Sequence, residues 1–408
     1  MKIFFFLLLP HLLFSYDFIY FYRATPIIPE PRFERDKLFS FDFFFHTGES
    51  RHGLNNEGKK VPLLDIYGLI NPTKLSAGVP FLSTNNQLDF ILVNLEKISP
   101  QDNARFSVSG KLLTHEYNFF FTYNVLPYIF FQIHLPIRTV EILSPHVVDL
   151  SSPSVKNSPE WRLFLQNFDA ILDRHNLSLK PFLKTVFGNI SILGGFSHSY
   201  IEHYFLDFID ISLVSGLTIP TEQKQTLKNI AAIPFFHQGQ LGIPLQGRFS
   251  IGAYDWLTIG LYGEITFFLD KISKEKVTTS LEQNGILNLT TAQVDKHKGP
   301  RFQIANYVKA DHIIRGFSFF LGYSFAGAYN DILHAKNIKL FSYEGINHNE
   351  QIKGWNMHTI HYAFEYDFSL KNAQIGPRIS LGSIMIIGGK RIIKTNLMMF
   401  QLGLDILF

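Results

Sequence analysis

The chain of 408 residues contains no cysteine. Disulfide staples, thiolate metal sites and cysteine nucleophiles are therefore excluded, and the absence suits a chain that crosses an oxidising compartment before it folds. Charge is scarce as well. Only 17% of residues are Asp, Glu, Lys or Arg, against about a quarter in an ordinary soluble domain. The formal net charge is +3 and no basic run interleaves with aromatics, which argues against nucleic acid as a partner. There is no HExxH, glycine-rich phosphate loop or nucleophile elbow, so neither a metal, a cofactor nor an enzymatic activity is expected. Long apolar runs are missing too: beyond the first residues nothing approaches the ~20 that a spanning helix requires. What the chain has in excess is oil, with 15% aromatics and 42 Phe. A chain this apolar that lacks spanning helices can enter a membrane only as a barrel, the other structure that satisfies every backbone group in lipid.

The N-terminus reads MKIFFFLLLPHLLFS. Lys2, the apolar run from Ile3 to Phe14 and small Ser15 have the layout of a secretory signal peptide, with an apolar core too short to span a bilayer. Residues 1–15 are read as that signal, 16–36 as a periplasmic N-terminal segment and 37–408 as the folded body.

Within the body the hydrophobic period is two. From Trp256 to Lys271, Leu257, Ile259, Leu261, Ile265, Phe267 and Leu269 alternate with Thr258, Gly260, Tyr262, Glu264, Thr266 and Asp270. The same alternation marks Leu241 to Ala253, Ile129 to Thr139, Phe205 to Thr218, Met357 to Phe368 and the terminal stretch TNLMMFQLGLDILF. A two-residue period places alternate side chains on opposite faces of a strand. These stretches are longer than the usual strand of about 5 to 6 residues and match a tilted membrane strand of about 9 to 11 with its protruding ends.

Connections are asymmetric. Tight turns are read at YNVLP (Tyr123 to Pro127), AYDW (Ala253 to Trp256), IIRG (Ile313 to Gly316) and SLKNAQ (Ser369 to Gln374), and long stretches at 51–104, 144–187, 272–300 and 331–354. If strands alternate in direction, all tight turns must fall at one rim, so an even number of strands must separate them. Strands near 37–50, 105–123, 127–142, 188–197, 203–220, 238–253, 256–271, 301–313, 316–330, 355–368, 374–388 and 394–408 satisfy that parity. The expected fold is all-β: an antiparallel transmembrane β-barrel of about twelve strands, range 10–14, with short periplasmic turns and long extracellular loops. In the second strand the apolar face switches near Leu112 and Leu113, as at a bulge. A soluble sandwich or β-solenoid would share the apolar faces, but with shorter strands and loops of similar length at both ends.

The signal peptide, the long alternating strands and the terminal strand that ends in Phe408 resemble Gram-negative outer-membrane β-barrel proteins. GLTIPT, Gly216 to Thr221, resembles the fatty-acid and aromatic-hydrocarbon transport barrels of that class. The resemblance implies an outer-membrane location, contact with outer-membrane lipid, and a last strand read by the barrel-assembly machinery, here through Phe400, Leu402, Leu404, Ile406 and Phe408. Some twelve-stranded outer-membrane barrels of that class are lipases with a His-x-Ser-Asn-Gly pattern. In GFSHSYIEH, His198 directly precedes Ser199 and no Asn-Gly follows.

If the apolar faces meet lipid, the opposite faces line the interior. On the first three strands these are Asp42, His46, Glu116, His134 and Arg138; on the middle strands Asp210, Arg248, Glu264, Lys309 and Asp311; on the last three His361, Glu365, Asp367, Arg378 and Asp405. Acids and bases are mixed, which fits either a wet pore or a barrel closed by internal ion pairs. The loop stretch GKKVPLLDIYGLIN, Gly58 to Asn71, is too apolar to be freely exposed. It folds into the lumen as a constriction or packs against the rim. SPEWRLFLQNFDAILDRHN has Ser158 as N-cap, Pro159 at the first helical position, and Trp161, Phe164, Leu165, Phe168, Ile171 and Leu172 on one face, the pattern of an amphipathic helix over the mouth. The expected function is a channel or transporter for small solutes, hydrophobic ones included. The alternative is a non-conducting barrel with a structural or surface-binding role.

Overall fold

The computed structural model describes residues 19–20, 23–24, 37–76, 86–98, 103–203, 206–221, 227–232, 239–254, 256–283, 285–314, 316–368 and 375–407. Residues 1–15, expected to be a signal peptide, the stretch SLKNAQ expected to turn, and Phe408 lie outside them. Of the 16–36 segment only the short pairing of Ile19–Tyr20 with Arg23–Ala24 is described.

Twelve long strands form the wall: β1 Lys37–Ser50, β2 Phe106–Leu126, β3 Ile129–Asp149, β4 Ile190–His203, β5 Leu206–Ile219, β6 Gly242–Ala253, β7 Leu257–Phe268, β8 Arg301–Ile314, β9 Phe317–Ala328, β10 Trp355–Asp367, β11 Ile375–Lys390 and β12 Asn396–Leu407. Each pairs antiparallel with its chain neighbours, and β12 returns to β1 with Phe400 opposite Phe45 and Gly403 opposite Asp42. The twelve wall strands therefore close on themselves, as the parity of the tight turns required, and a short further strand, Phe182–Phe187, pairs with the upper part of β3.

The outward faces carry the oil. Leu213, Leu245, Leu261, Ile304, Leu381 and Met398 are all exposed, Met398 at 71%. In water that ring of apolar side chains would cost roughly 25 cal/mol per Å²; in a bilayer it is the lipid-facing belt. The phenylalanines concentrate on β1 and β2, where Phe41 meets Phe121, Phe43 meets Phe119 and Phe45 meets Tyr117 at ring separations of 5.0, 5.2 and 5.1 Å. At the short-turn rim Tyr123, Tyr128, Tyr200, Tyr254, Trp256 and Tyr366 are exposed, an interfacial aromatic girdle. Toward the other rim the belt ends on a polar row in register, Thr47, His115, Thr139 and Thr185, joined by hydrogen bonds from Thr47 to His115 and between Thr139 and Thr185.

Three boundaries differ from the sequence reading. GFSHSYIEH continues β4 to His203 instead of turning: Phe196 and Tyr200 face out while Ser197 is buried, so the small residues serve the inner face. The wall of β2 has no face switch at Leu112 and Leu113. Leu112 points inward with Thr114, Glu116 and Asn118 because the upper interior is filled by apolar loop residues, and the register shift lies at Ser109/Lys111. The expected single helix is two, α3 Pro159–Gln166 and α4 Phe168–Arg174, following α1 Gln87–Leu95 and α2 Pro153–Asn157. They break at Asn167, whose amide turns back to the carbonyl of Leu163, the local competition that makes Asn a poor helix former.

Candidate channel interior and mouth

Every charged or His residue read from the alternation as interior sits on the inner side of the wall, buried except for half-buried Glu264. They gather into groups set by register. Gly403 pairs with both Asp42 and Arg378 on the flanking strands. Arg378 Nη2 donates to Asp42 Oδ1 at 3.1 Å and to Asp405 Oδ1 at 3.3 Å; Gln401 donates to Asp42 and Ser40 to Asp405. A Cβ at position 403 would stand 2.7 Å from Asp42 Oδ1 and 2.9 Å from Arg378 Nε, so only glycine lets this triad close. Asp367 lies opposite Arg378 in register.

A second group crosses β1 to β3. Glu116 and Arg138 are direct cross-strand partners, and both guanidinium contacts, 2.9 and 3.3 Å, go to the one carboxylate, the two-point geometry that makes Arg suited to buried pairs. His46 stands in register with Glu116, and Asn118 bridges His46 and His134, whose ring stacks on Phe120 at 4.4 Å. Elsewhere Lys309 reaches Asp311 at 3.0 Å and Glu365 at 3.8 Å. Arg248 donates to Gln132 and Gln246, Asp210 lies opposite Ser250, and Glu264 accepts from Tyr262 and Thr266. His361 is bonded to Thr359 and Ser324. Among the described residues no three His, Asp or Glu side chains converge to hold a metal ion.

Between these groups the interior is apolar and aromatic. Phe44, Phe130 and Tyr307 are fully buried. Phe130 and Tyr307 fold flat over the glycines they pair with, Gly195 and Gly260, where a Cβ would stand 2.1 Å from the ring.

Loops pack into the mouth. In the connection after β1, Leu63, Leu64, Ile66, Tyr67 and Ile70 are buried, and they join Phe44, Phe106, Val108, Leu112, Ile384 and Leu397 of the wall in one hydrophobic cluster. Two polar points tie this plug to β2. Ile70 and Phe106 exchange backbone hydrogen bonds, both 3.1 Å, and Asp65 Oδ1 accepts from the Val108 amide at 3.1 Å. Burial pushes the Asp65 carboxyl up to about 6 against the bonds from Ser107 and Val108. The helices over the mouth add Trp161, Phe164, Phe168, Ile171 and Leu172 to the same cluster, and Trp161 Nε1 donates to Asp149 at the end of β3. Gly58 to Asn71 therefore combines its two expected placements: its apolar side chains fold inside the wall against Phe44, Leu112 and Leu397, and they also pack against the neighbouring loops. Beyond it, Lys271–Val277, Thr290–His297 and Ile332–Ala335 form a small outer sheet with its own core around Val294, Leu333 and Ile346.

Among the neutral members of the networks, Gln132, Gln246, Thr359 and Gln401 lie on the polar faces that the alternation sets opposite the oil, while Ser40, Asn118 and Ser324 carry no charge to single them out. The same two-residue parity places them.

A closed twelve-strand barrel with an apolar exterior, a polar and aromatic interior, and a loop-capped mouth is an outer-membrane β-barrel. No family model matches the chain, and no curated protein matches it. Among solved structures it is similar to an outer-membrane channel from Pseudomonas putida F1, at 10% identity over 95% of this chain and 98% of that one, TM-score 0.49. It is also similar to the CymD monoaromatic hydrocarbon channel, 10% identical over 91% and 89% with a TM-score of 0.33, and to a FadL homologue of Pseudomonas aeruginosa, 10% identical over 91% of each chain with a TM-score of 0.30. Each is a likeness in shape.

Proposed function

We propose that the protein is an outer-membrane channel that passes small hydrophobic solutes when its loop plug moves. The observation that carries this reading is the continuity of the hydrophobic cluster from the loop residues Leu63, Ile66 and Tyr67 to the wall residues Phe44, Phe120 and Tyr307. A solute that entered among the loops would meet apolar and aromatic surface deep into the barrel. Interior charges such as Arg138 and Arg378 are occupied by carboxylates of the wall itself, which lowers their demand for water or counter-ions along such a route. The protein would reach its membrane by cleavage of the segment 1–15 and delivery to the barrel-assembly machinery. Single-channel recording in planar bilayers, with uptake of a small hydrophobic solute by proteoliposomes, tests the proposal. Folded protein that neither conducts nor admits the solute refutes it.

One observation favours a second reading, a non-conducting structural barrel. Large side chains of the wall are fully buried, Arg138, Tyr307 and Lys309 in the interior, and Trp161 is fully buried over the mouth. That reading requires the same null result in both assays.

A further inference from the structure

Where β1, β11 and β12 reach the loop rim, the chain builds a platform above the lipid belt. His52–Leu54 pairs with Lys60–Pro62 on one side and with Ile392–Ile393 on the other. Two backbone bonds clamp it to the connection between β11 and β12, Lys394 N–H to the His52 carbonyl and Arg391 N–H to the Asn55 carbonyl. Four cations on or next to these segments are exposed: Arg51 directly after β1, Lys60 opposite Leu54, Lys390 at the end of β11 and Lys394 just before β12.

Three carboxylates lie in or beside the platform, and each is engaged by a different cation: Glu49 by Lys111 at 2.5 Å, Glu57 by Lys59 at 2.7 Å and Glu350 by Arg391 at 2.7 Å. None of the four exposed cations makes an ion pair among the described residues. The positive surplus is felt locally. The His52 imidazole is held below its usual value by partial burial and then by the charges of Lys60 and Arg51. On the outward faces of the same strands, exposed Ile387 and Met398 belong to the lipid belt.

We propose that this platform binds the phosphates of a phosphorylated glycolipid in the outer leaflet, with the acyl chains lying against β11 and β12. Position selects a lipid over a soluble anion. The cations stand at the height of a headgroup, over apolar wall that would receive its chains, and clustered phosphates match several ammonium and guanidinium groups at once. The inference is independent of whether the barrel conducts; it needs only the membrane placement.

The test uses full-length protein reconstituted in phosphatidylcholine nanodiscs doped with diphosphoryl lipid A or with dephosphorylated lipid A, and reads the lipid A that stays with the protein on dilution into lipid-free detergent. Wild type is expected to retain the phosphorylated form at least about tenfold better, since each cation near a charged membrane surface contributes a factor of about five. The quadruple variant Arg51→Gln, Lys60→Gln, Lys390→Gln, Lys394→Gln should lose that preference while keeping the heat-modifiable gel mobility of a folded barrel. If the quadruple variant does not assemble, Lys390→Gln with Lys394→Gln is expected to lose part of the preference. Equal retention of the two lipids by wild type, or an undiminished preference in a folded variant, overturns the proposal.

Discussion

Arg378→Gln is the most informative single change in the barrel. The guanidinium serves Asp42, which is 0% exposed, and Asp405, which is 4% exposed, from one nitrogen. Removing it leaves two buried carboxylates on adjacent strands, Asp42 opposite Gly403 and Asp405 two residues further along β12, without the cation they share; Gln401 still donates to Asp42 and Ser40 to Asp405. Breaking a buried pair by deleting one partner costs about 3–5 kcal/mol, because the surviving charge stays desolvated. That is roughly a hundred- to several-thousand-fold in the folded-to-unfolded ratio. The measurement is urea unfolding of barrels refolded into phospholipid vesicles, followed by tryptophan fluorescence and by heat-modifiable mobility. Arg378→Gln should unfold at clearly lower urea. The triple variant Asp42→Asn, Arg378→Gln, Asp405→Asn should recover most of the loss, since replacing all partners by neutral groups removes the stranded charge. If Arg378→Gln unfolds with wild type, or if the triple variant is no better than the single one, the triad does not stabilise the wall as argued.

Three further outcomes can be checked. Ile70→Cys with Phe106→Cys, in a chain with no other cysteine, joins two partners of an antiparallel bridge whose Cα separation of about 5.5 Å suits a disulfide. Single-channel current should vanish on oxidation and return with dithiothreitol, whereas undiminished current in the oxidised form would rule out the plug as gate. Burial holds the folded Asp65 carboxyl at about 6 against 3.8 when unfolded; the folded state binds the proton more tightly, so stability falls as pH rises from 3.8 to about 6, by at most about 3 kcal/mol. Asp65→Asn should flatten that slope, and melting curves of unchanged pH dependence would contradict the assignment. Deletion of Phe408 should lower the yield of membrane-assembled barrel more than Asp405→Asn does, as read by the heat-modifiable fraction in isolated outer membranes; the reverse order would displace the terminal aromatic as assembly signal.

The strand count, strand order and inner face were legible because they rest on a single two-residue rule applied to long stretches. Asp42, Arg138, Lys309 and Arg378 could be placed inside with no knowledge of their partners. The partners were not legible. Which carboxylate Arg378 meets depends on register across β11, β12 and β1, and on the missing Cβ of Gly403, none of which a hydrophobic pattern encodes. The strand read as 188–197 runs on to His203 because Gly195 and Ser197 leave room on the inner face, where the Phe130 ring lies over Gly195. Leu112 looked like a defect because the rule assumes a polar interior, and the plug makes the upper interior apolar. Asn167 divided a helix whose apolar face was otherwise read correctly at Trp161, Phe164, Phe168, Ile171 and Leu172.

The closed meander has a consequence for the order of assembly. Eleven of the wall's strand pairings join chain neighbours; only β12 with β1 spans nearly the whole chain. Arg378 and Asp405 belong to the last hairpin and can meet as soon as it forms, a one-to-one pair. Asp42 waits on the first strand. Its arrival turns that pair into a triad with an extra carboxylate, which is favourable only if Gln401 and the dry seam are already in place. Closure in register thus matters electrostatically: a slipped register at β12 would bury Asp42 away from its cation, at the cost of a stranded charge.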